Sequence, residues 1–140
     1  MNYIDTFIVV AEDSPVQNSV VPQVKPEKKK SVAVIQYELL ADASYVYTQE
    51  DVLFQTYVRH KEIPYKELEA RADDIREKFF AQPQPCLRTS PLARKYGWGF
   101  HFDREGKVAL YPMESSAYRT FAHVEKGSPT ILKAFWSSRQ

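Results

Sequence analysis

Five residues between Arg88 and His101 have the types and the spacing to hold an anion. Arg88 and Arg94 carry guanidinium groups that can grip a carboxylate or a phosphate through paired hydrogen bonds, and Lys95 adds a point charge. Ser90 stands before Pro91, a pairing that opens a short helix whose free N–H groups carry partial positive charge. His101 closes the segment, and Gly97 and Gly99 allow main chain or ligand to approach closely. Over the longer stretch Arg88 to Lys107, Arg88, Arg94, Lys95, Arg104 and Lys107 face only Asp103 and Glu105. The chemistry expected is therefore a non-catalytic binding module for a small anionic ligand or a phosphorylated partner, using Arg88, Ser90, Arg94, Lys95 and His101. The competing assignment pairs the arginines with Glu114 or with the acids between Glu67 and Glu77, and leaves Gly97 and Gly99 as a helix cap and a tight bend.

Two other chemistries can be written from the same residues. Cys86, His101 and Asp103 are the types of a thiol nucleophile, its base and an orienting carboxylate, so a thiol or acid-base enzyme using Cys86 or His101 is the alternative. Lys25, Lys28, Lys29 and Lys30 could touch phosphates, although no interleaved aromatic offers base stacking. A nucleic-acid accessory role thus ranks third. The three histidines show no compact ligand spacing and the single cysteine excludes thiolate zinc sites, so neither a metal nor another cofactor is expected.

Composition limits the partners further. Lys+Arg 19 against Asp+Glu 18 argues against whole-surface attraction to nucleic acid or an anionic membrane, so any anion site must be local. No run of residues approaches a membrane span or an export signal, and one lone cysteine suits a reducing compartment. A cytoplasmic protein is expected.

The elements that must position these residues are written in periodicity and caps. Thr6 to Ala11 reads as a buried strand ended by Glu12-Asp13-Ser14-Pro15. Pro15 to Lys30 holds three prolines and a lysine run, which predicts a mobile loop. Ser31 can cap a helix through Val32, Ile35 and Leu39, and Thr48 with Asp51 forms a capping-box pattern for a second helix to about His60. Leu68, Ala72, Ile75 and Phe79 recur at helical spacing after Pro64, until Gln82-Pro83-Gln84-Pro85 ends the run. Trp98, Phe100 and Phe102 alternate with Gly99, His101 and Asp103, which predicts a β-hairpin closed by Asp103-Arg104-Glu105-Gly106 and completed by Lys107 to Tyr111. Ser115 or Ser116 can cap a last helix, and Thr130 to Trp136 suits strand or helix. The expectation is a single α+β domain over residues 1–140, a small antiparallel sheet packed by about four helices, with 44% hydrophobic residues to fill its core.

Longer strings carry a resemblance. Cys86 to His101, together with Thr6-Phe7-Ile8-Val9-Val10-Ala11-Glu12-Asp13-Ser14-Pro15, Gln36-Tyr37-Glu38-Leu39-Leu40 and Val108-Ala109-Leu110-Tyr111-Pro112, resembles an uncharacterised bacterial family, one of the domains of unknown function. The resemblance covers most of the chain. It implies a shared fold, and no activity, substrate or cofactor comes with it.

Overall fold

The computed structural model describes residues 2–125 and 127–137. Its sheet is built around the hairpin. β2 (Trp98–Phe102) and β3 (Val108–Pro112) pair antiparallel, with Phe100 opposite Leu110 and His101 opposite Ala109. Asp103 closes the turn by accepting the N–H groups of Glu105 and Lys107 on Oδ1, each at 2.9 Å, and Gly106 supplies the left-handed φ of 80° that the return requires. β1 (Thr6–Val9) lies antiparallel on the other edge of β2, with Phe7 opposite His101.

The fourth strand completes an α+β fold around a mixed sheet. β4 (Thr130–Lys133), the stretch that suited either strand or helix, pairs with β1 in parallel and gives the order β3-β2-β1-β4. Two of the three pairings are antiparallel, as expected from the hairpin. The third is parallel because α5 (Ser116–Ala122) carries the chain across one face of the sheet before β4 returns in the direction of β3.

The remaining helices begin where the caps place them. Ser31 accepts the Val34 N–H at the start of α1 (Val32–Ala41), and Thr48 and Asp51 form a reciprocal capping box at the start of α2 (Gln49–His60). α3 (Tyr65–Ala81) follows Pro64, and α4 (Pro91–Arg94) has Ser90 as cap and Pro91 at its first position. The apolar stripe of α3 has the expected spacing, yet none of its residues is buried. It rests on the body of the protein through Phe79, whose ring lies 4.6 Å from Tyr57 and 5.9 Å from Phe54.

Strand alternation divides β2 between two environments. Phe100 and Phe102 point into the main core with Ile8, Leu40, Val52, Leu92 and Val108, and all are fully or almost fully buried. Each such side chain contributes roughly 1.5–3 kcal/mol through burial. Gly99 and His101 point to the opposite face, under α5, where Phe7 packs against Tyr118 at 5.2 Å and Phe121 at 5.1 Å. Gly99 has to be a glycine here. A Cβ would lie 2.7 Å from the Tyr118 ring and 2.8 Å from that of Phe7.

The segment expected to be a loop has two parts. The Ser19 N–H and hydroxyl both donate to the Glu114 carboxylate, the Val20 N–H donates to the Tyr96 carbonyl at 2.8 Å, and Trp98 Nε1 donates to the Val20 carbonyl at 2.9 Å. Gln23 to Lys30, by contrast, is exposed throughout. Among the described residues no helix is long and apolar enough to cross a membrane.

Candidate functional site

The five residues expected to share an anion are divided between two places. Arg88 donates from Nε to the Lys133 carbonyl at 2.6 Å, and its guanidinium lies 4.4 Å from the centre of the Phe135 ring. Arg94 donates from Nε and Nη2 to the Trp136 carbonyl, at 2.8 and 2.6 Å. The buried Ser90 hydroxyl donates to Gln36 Oε1 and caps the Leu92 N–H. Lys95 is exposed at the C-terminal end of α4, just past its last residue. His101 faces away from this helix, because α4 packs with Phe100 and Phe102 on the other side of the sheet.

What Arg88 and Arg94 hold is the chain that follows β4. Ser137 adds to the same strap by donating its N–H to Asp13 Oδ1 and its hydroxyl to the Asp13 carbonyl. Glu114, an expected partner of the arginines, instead accepts from Ser19, and those hydrogen bonds hold its carboxyl below the usual range. Replacing Arg94 with Ala should therefore lower thermal stability by about 1 kcal/mol or somewhat more, the scale of a charge-assisted hydrogen bond near the surface. An unchanged melting temperature would show that the strap does not depend on Arg94.

His101 sits in a different construction, drawn from four parts of the chain. β2 aims its imidazole at the α5 face, where the ring stacks on Phe121 at a centroid distance of 4.1 Å and an interplanar angle of 15°. Tyr111 reaches the same face from β3. Tyr45 arrives from the loop between α1 and α2, which runs along the free edge of β3: its N–H donates to the Val108 carbonyl, and the Val108 N–H donates to the Tyr47 carbonyl. Tyr45 adopts a left-handed φ of 60°, unusual for an aromatic residue and costly by about 1–2 kcal/mol. That conformation accompanies a side chain hooked over the sheet edge while Tyr47 packs against the main core.

The three side chains form one polar chain. Tyr45 Oη lies 2.8 Å from His101 Nδ1 and 2.7 Å from Tyr111 Oη. Nε2 of His101 makes no hydrogen bond among the described residues. Among the described residues no fully buried side-chain nitrogen or oxygen lacks a partner, so Nε2 is not sealed from solvent. Two proton arrangements satisfy the chain. In one, Nδ1–H donates to Tyr45, Tyr45 donates to Tyr111, and Nε2 presents a lone pair. In the other every bond reverses, and Nε2 presents a proton.

Burial sets the charge states. It pushes the His101 imidazole below its ordinary value, against the smaller opposing pull of the Asp103 and Asp5 carboxylates. Burial first, then the hydrogen bond to Tyr111, raises the Tyr45 phenol, so that its proton stays in place. At pH 7 the imidazole is therefore neutral and the Tyr45 phenol protonated.

A pH effect on stability follows with a definite sign. Folded His101 binds its proton less tightly than the unfolded side chain does, so the stability linked to its neutral form is complete above about pH 6.5 and is lost as pH falls through the folded value. Wild type should thus lose stability more steeply than His101→Asn between about pH 7 and about pH 5 in denaturation curves. Parallel curves for the two proteins would contradict a buried neutral imidazole.

Cys86 does not join this site. It is half-buried beside the Tyr3 hydroxyl, whose pKa is pushed up to about 12 by burial and then by the thiol, and Tyr3 packs on Phe102 on the main-core side. Asp103 is engaged in the hairpin turn. Among the described residues no three His, Cys, Asp or Glu side chains are grouped to hold a metal ion.

The sequence names His101 as an anion ligand or an acid-base residue but does not single out Tyr45 or Tyr111 beside it. Tyr111 had a usable signal, since it lies on the same face as His101 once the hairpin is in register. Tyr45 had none, because its role depends on a loop that wraps the sheet edge. Searches of curated proteins and of solved structures find no match. A family model described as a family of unknown function matches residues 1–140, the whole chain, and the protein therefore belongs to that family, DUF6157.

Proposed function

We propose that His101 is the proton-transferring residue of a general acid-base site, with Tyr45 and Tyr111 as its relay. One observation carries this reading: the imidazole is anchored at Nδ1 to a chain of two hydroxyls, while Nε2 is not sealed from solvent. Proton transfer can be balanced in place. When Nε2 takes a proton from a substrate, the Nδ1 proton passes to Tyr45 Oη, the Tyr45 proton to Tyr111 Oη, and the Tyr111 proton to water. The ring and both phenols end neutral, and the only change in charge is on the substrate, which is left one unit more negative by the proton it gave up.

The neighbours narrow the substrate. Asp5 and Asp103 favour a transient imidazolium and oppose an anion, which points to a small neutral or cationic molecule with an exchangeable proton. Anion binding at the five residues would ask more of the fold, since Arg88 and Arg94 would have to release the carbonyls of Lys133 and Trp136.

Hydrolysis of p-nitrophenyl acetate, a neutral ester that responds to an accessible imidazole, tests the proposal. The rate should rise with pH to a plateau, with an apparent pKa below the ordinary histidine value of about 6.5. Tyr45→Phe should shift that pKa and lower the plateau. A profile centred at the ordinary value, or one that Tyr45→Phe leaves unchanged, would remove the relay from the account.

A further inference from the structure

A second concentration of chemistry lies in the exposed part of the loop, from Gln23 to Lys30. Exposed lysines are usually solvated charge, and three features set these apart. First, Lys30 pairs with Glu38 at 2.9 Å, but the ammonium groups of Lys25, Lys28 and Lys29 have no ion pair or hydrogen bond among the described residues. Second, the main chain folds back on itself: the Lys28 N–H donates to the Lys25 carbonyl at 3.2 Å, with Pro26 and Glu27 in the bend and Glu27 at a left-handed φ of 61°. Lys25 and Lys28 therefore stand together at the base of a tight turn.

Third, the turn borders two recesses, and Lys28, Lys29 and Lys30 line both. The smaller, of about 250 Å³, adds Lys25 and the Tyr96 ring and contains no acidic residue. The larger, of about 470 Å³, adds Arg59, countered by Glu38 and Glu62. Arg59 makes no side-chain ion pair or hydrogen bond among the described residues. Three unpaired ammonium groups, those of Lys25, Lys28 and Lys29, around a concavity with no acidic lining focus positive potential, and the lysine ridge carries it into the second recess. The ends of the loop are fixed by the buried Pro22 on one side and by the Ser31 cap on the other, which holds the two recesses side by side.

We infer that this loop binds a small ligand carrying two phosphoryl groups, one in each recess, with the Lys28 to Lys30 ridge between them. Lysine is a point-charge partner for phosphate, and Arg59 supplies a guanidinium fork to the second group. A single phosphate fills one recess and leaves the other cations without a partner. This site lies on a different element from the His101 relay and does not depend on it.

Calorimetry at fixed ionic strength in magnesium-free buffer tests the inference, with orthophosphate, pyrophosphate and a short single-stranded oligonucleotide as probes. Wild type should bind pyrophosphate at least about tenfold more tightly than orthophosphate, the scale of one added charged hydrogen bond. The double variant Lys25→Gln, Lys28→Gln should weaken both by about tenfold or more, whereas Arg59→Gln should weaken pyrophosphate alone. All three positions line the surface, so the variants are expected to fold, which their melting curves check. Equal affinity for the two phosphates would overturn the two-recess assignment. Absence of binding by both, or binding that the lysine variant leaves intact, would remove the site altogether. An oligonucleotide that binds more tightly than pyrophosphate would replace the small ligand with nucleic acid and overturn the inference.

Discussion

Phe100→Ala is expected to destabilise the protein by about 3–5 kcal/mol, the cost of truncating a fully enclosed aromatic ring. Phe100 has no exposed surface and lies at the centre of β2, between Ile8 of β1 and Leu110 of β3. Its ring lies 6.5 Å from that of Phe102 and shares one buried cluster with Leu40, Val52 and Leu92. For a chain of this size the loss corresponds to a fall of roughly 10 °C or more in melting temperature. Trp98, on the same face but half-buried and tied to the loop through Nε1, should cost less when cut to Ala. Chemical denaturation of both variants checks the order. If Trp98→Ala proves the more damaging, the core is centred nearer the loop than the packing indicates.

His101→Asn is expected to lower imidazole-dependent ester hydrolysis by about 100-fold, the lower end of what a positioned acid-base residue contributes. Asparagine is the informative replacement. Its amide can stand where Nδ1 stands and keep a hydrogen bond to Tyr45 Oη, but nothing remains in the place of Nε2. The fold should survive, because Phe7 and Phe121 still close over the position. Activity lost alongside an intact denaturation midpoint would separate a chemical role from a structural one. Activity retained within about twofold would assign the hydrolysis to groups other than His101.

These two residues also mark what the sequence made legible. Alternation along β2 places Phe100 and His101 on opposite faces, and the Thr48–Asp51 spacing specifies the capping box of α2. Such features are local, set by residues a few positions apart. β4 was not legible as a partner of β1, because the pairing joins Thr6 to Thr130 and no short-range pattern encodes it. The basic residues between Arg88 and Lys107 could be counted, but the carbonyl groups of Lys133 and Trp136 that occupy two of them come from the far end of the chain. Tyr45 was hidden for the same reason, its left-handed backbone being fixed by the edge of a sheet that forms some 60 residues later.

The relay is tested most directly by nitrogen NMR of the His101 ring, titrated in wild type and in Tyr45→Phe. The expected result is a neutral ring at pH 7 that titrates below about 6.5, with an Nδ1 signal that changes when the Tyr45 hydroxyl is removed. A ring already protonated at pH 7, or an Nδ1 signal and a titration curve indifferent to Tyr45→Phe, would contradict it.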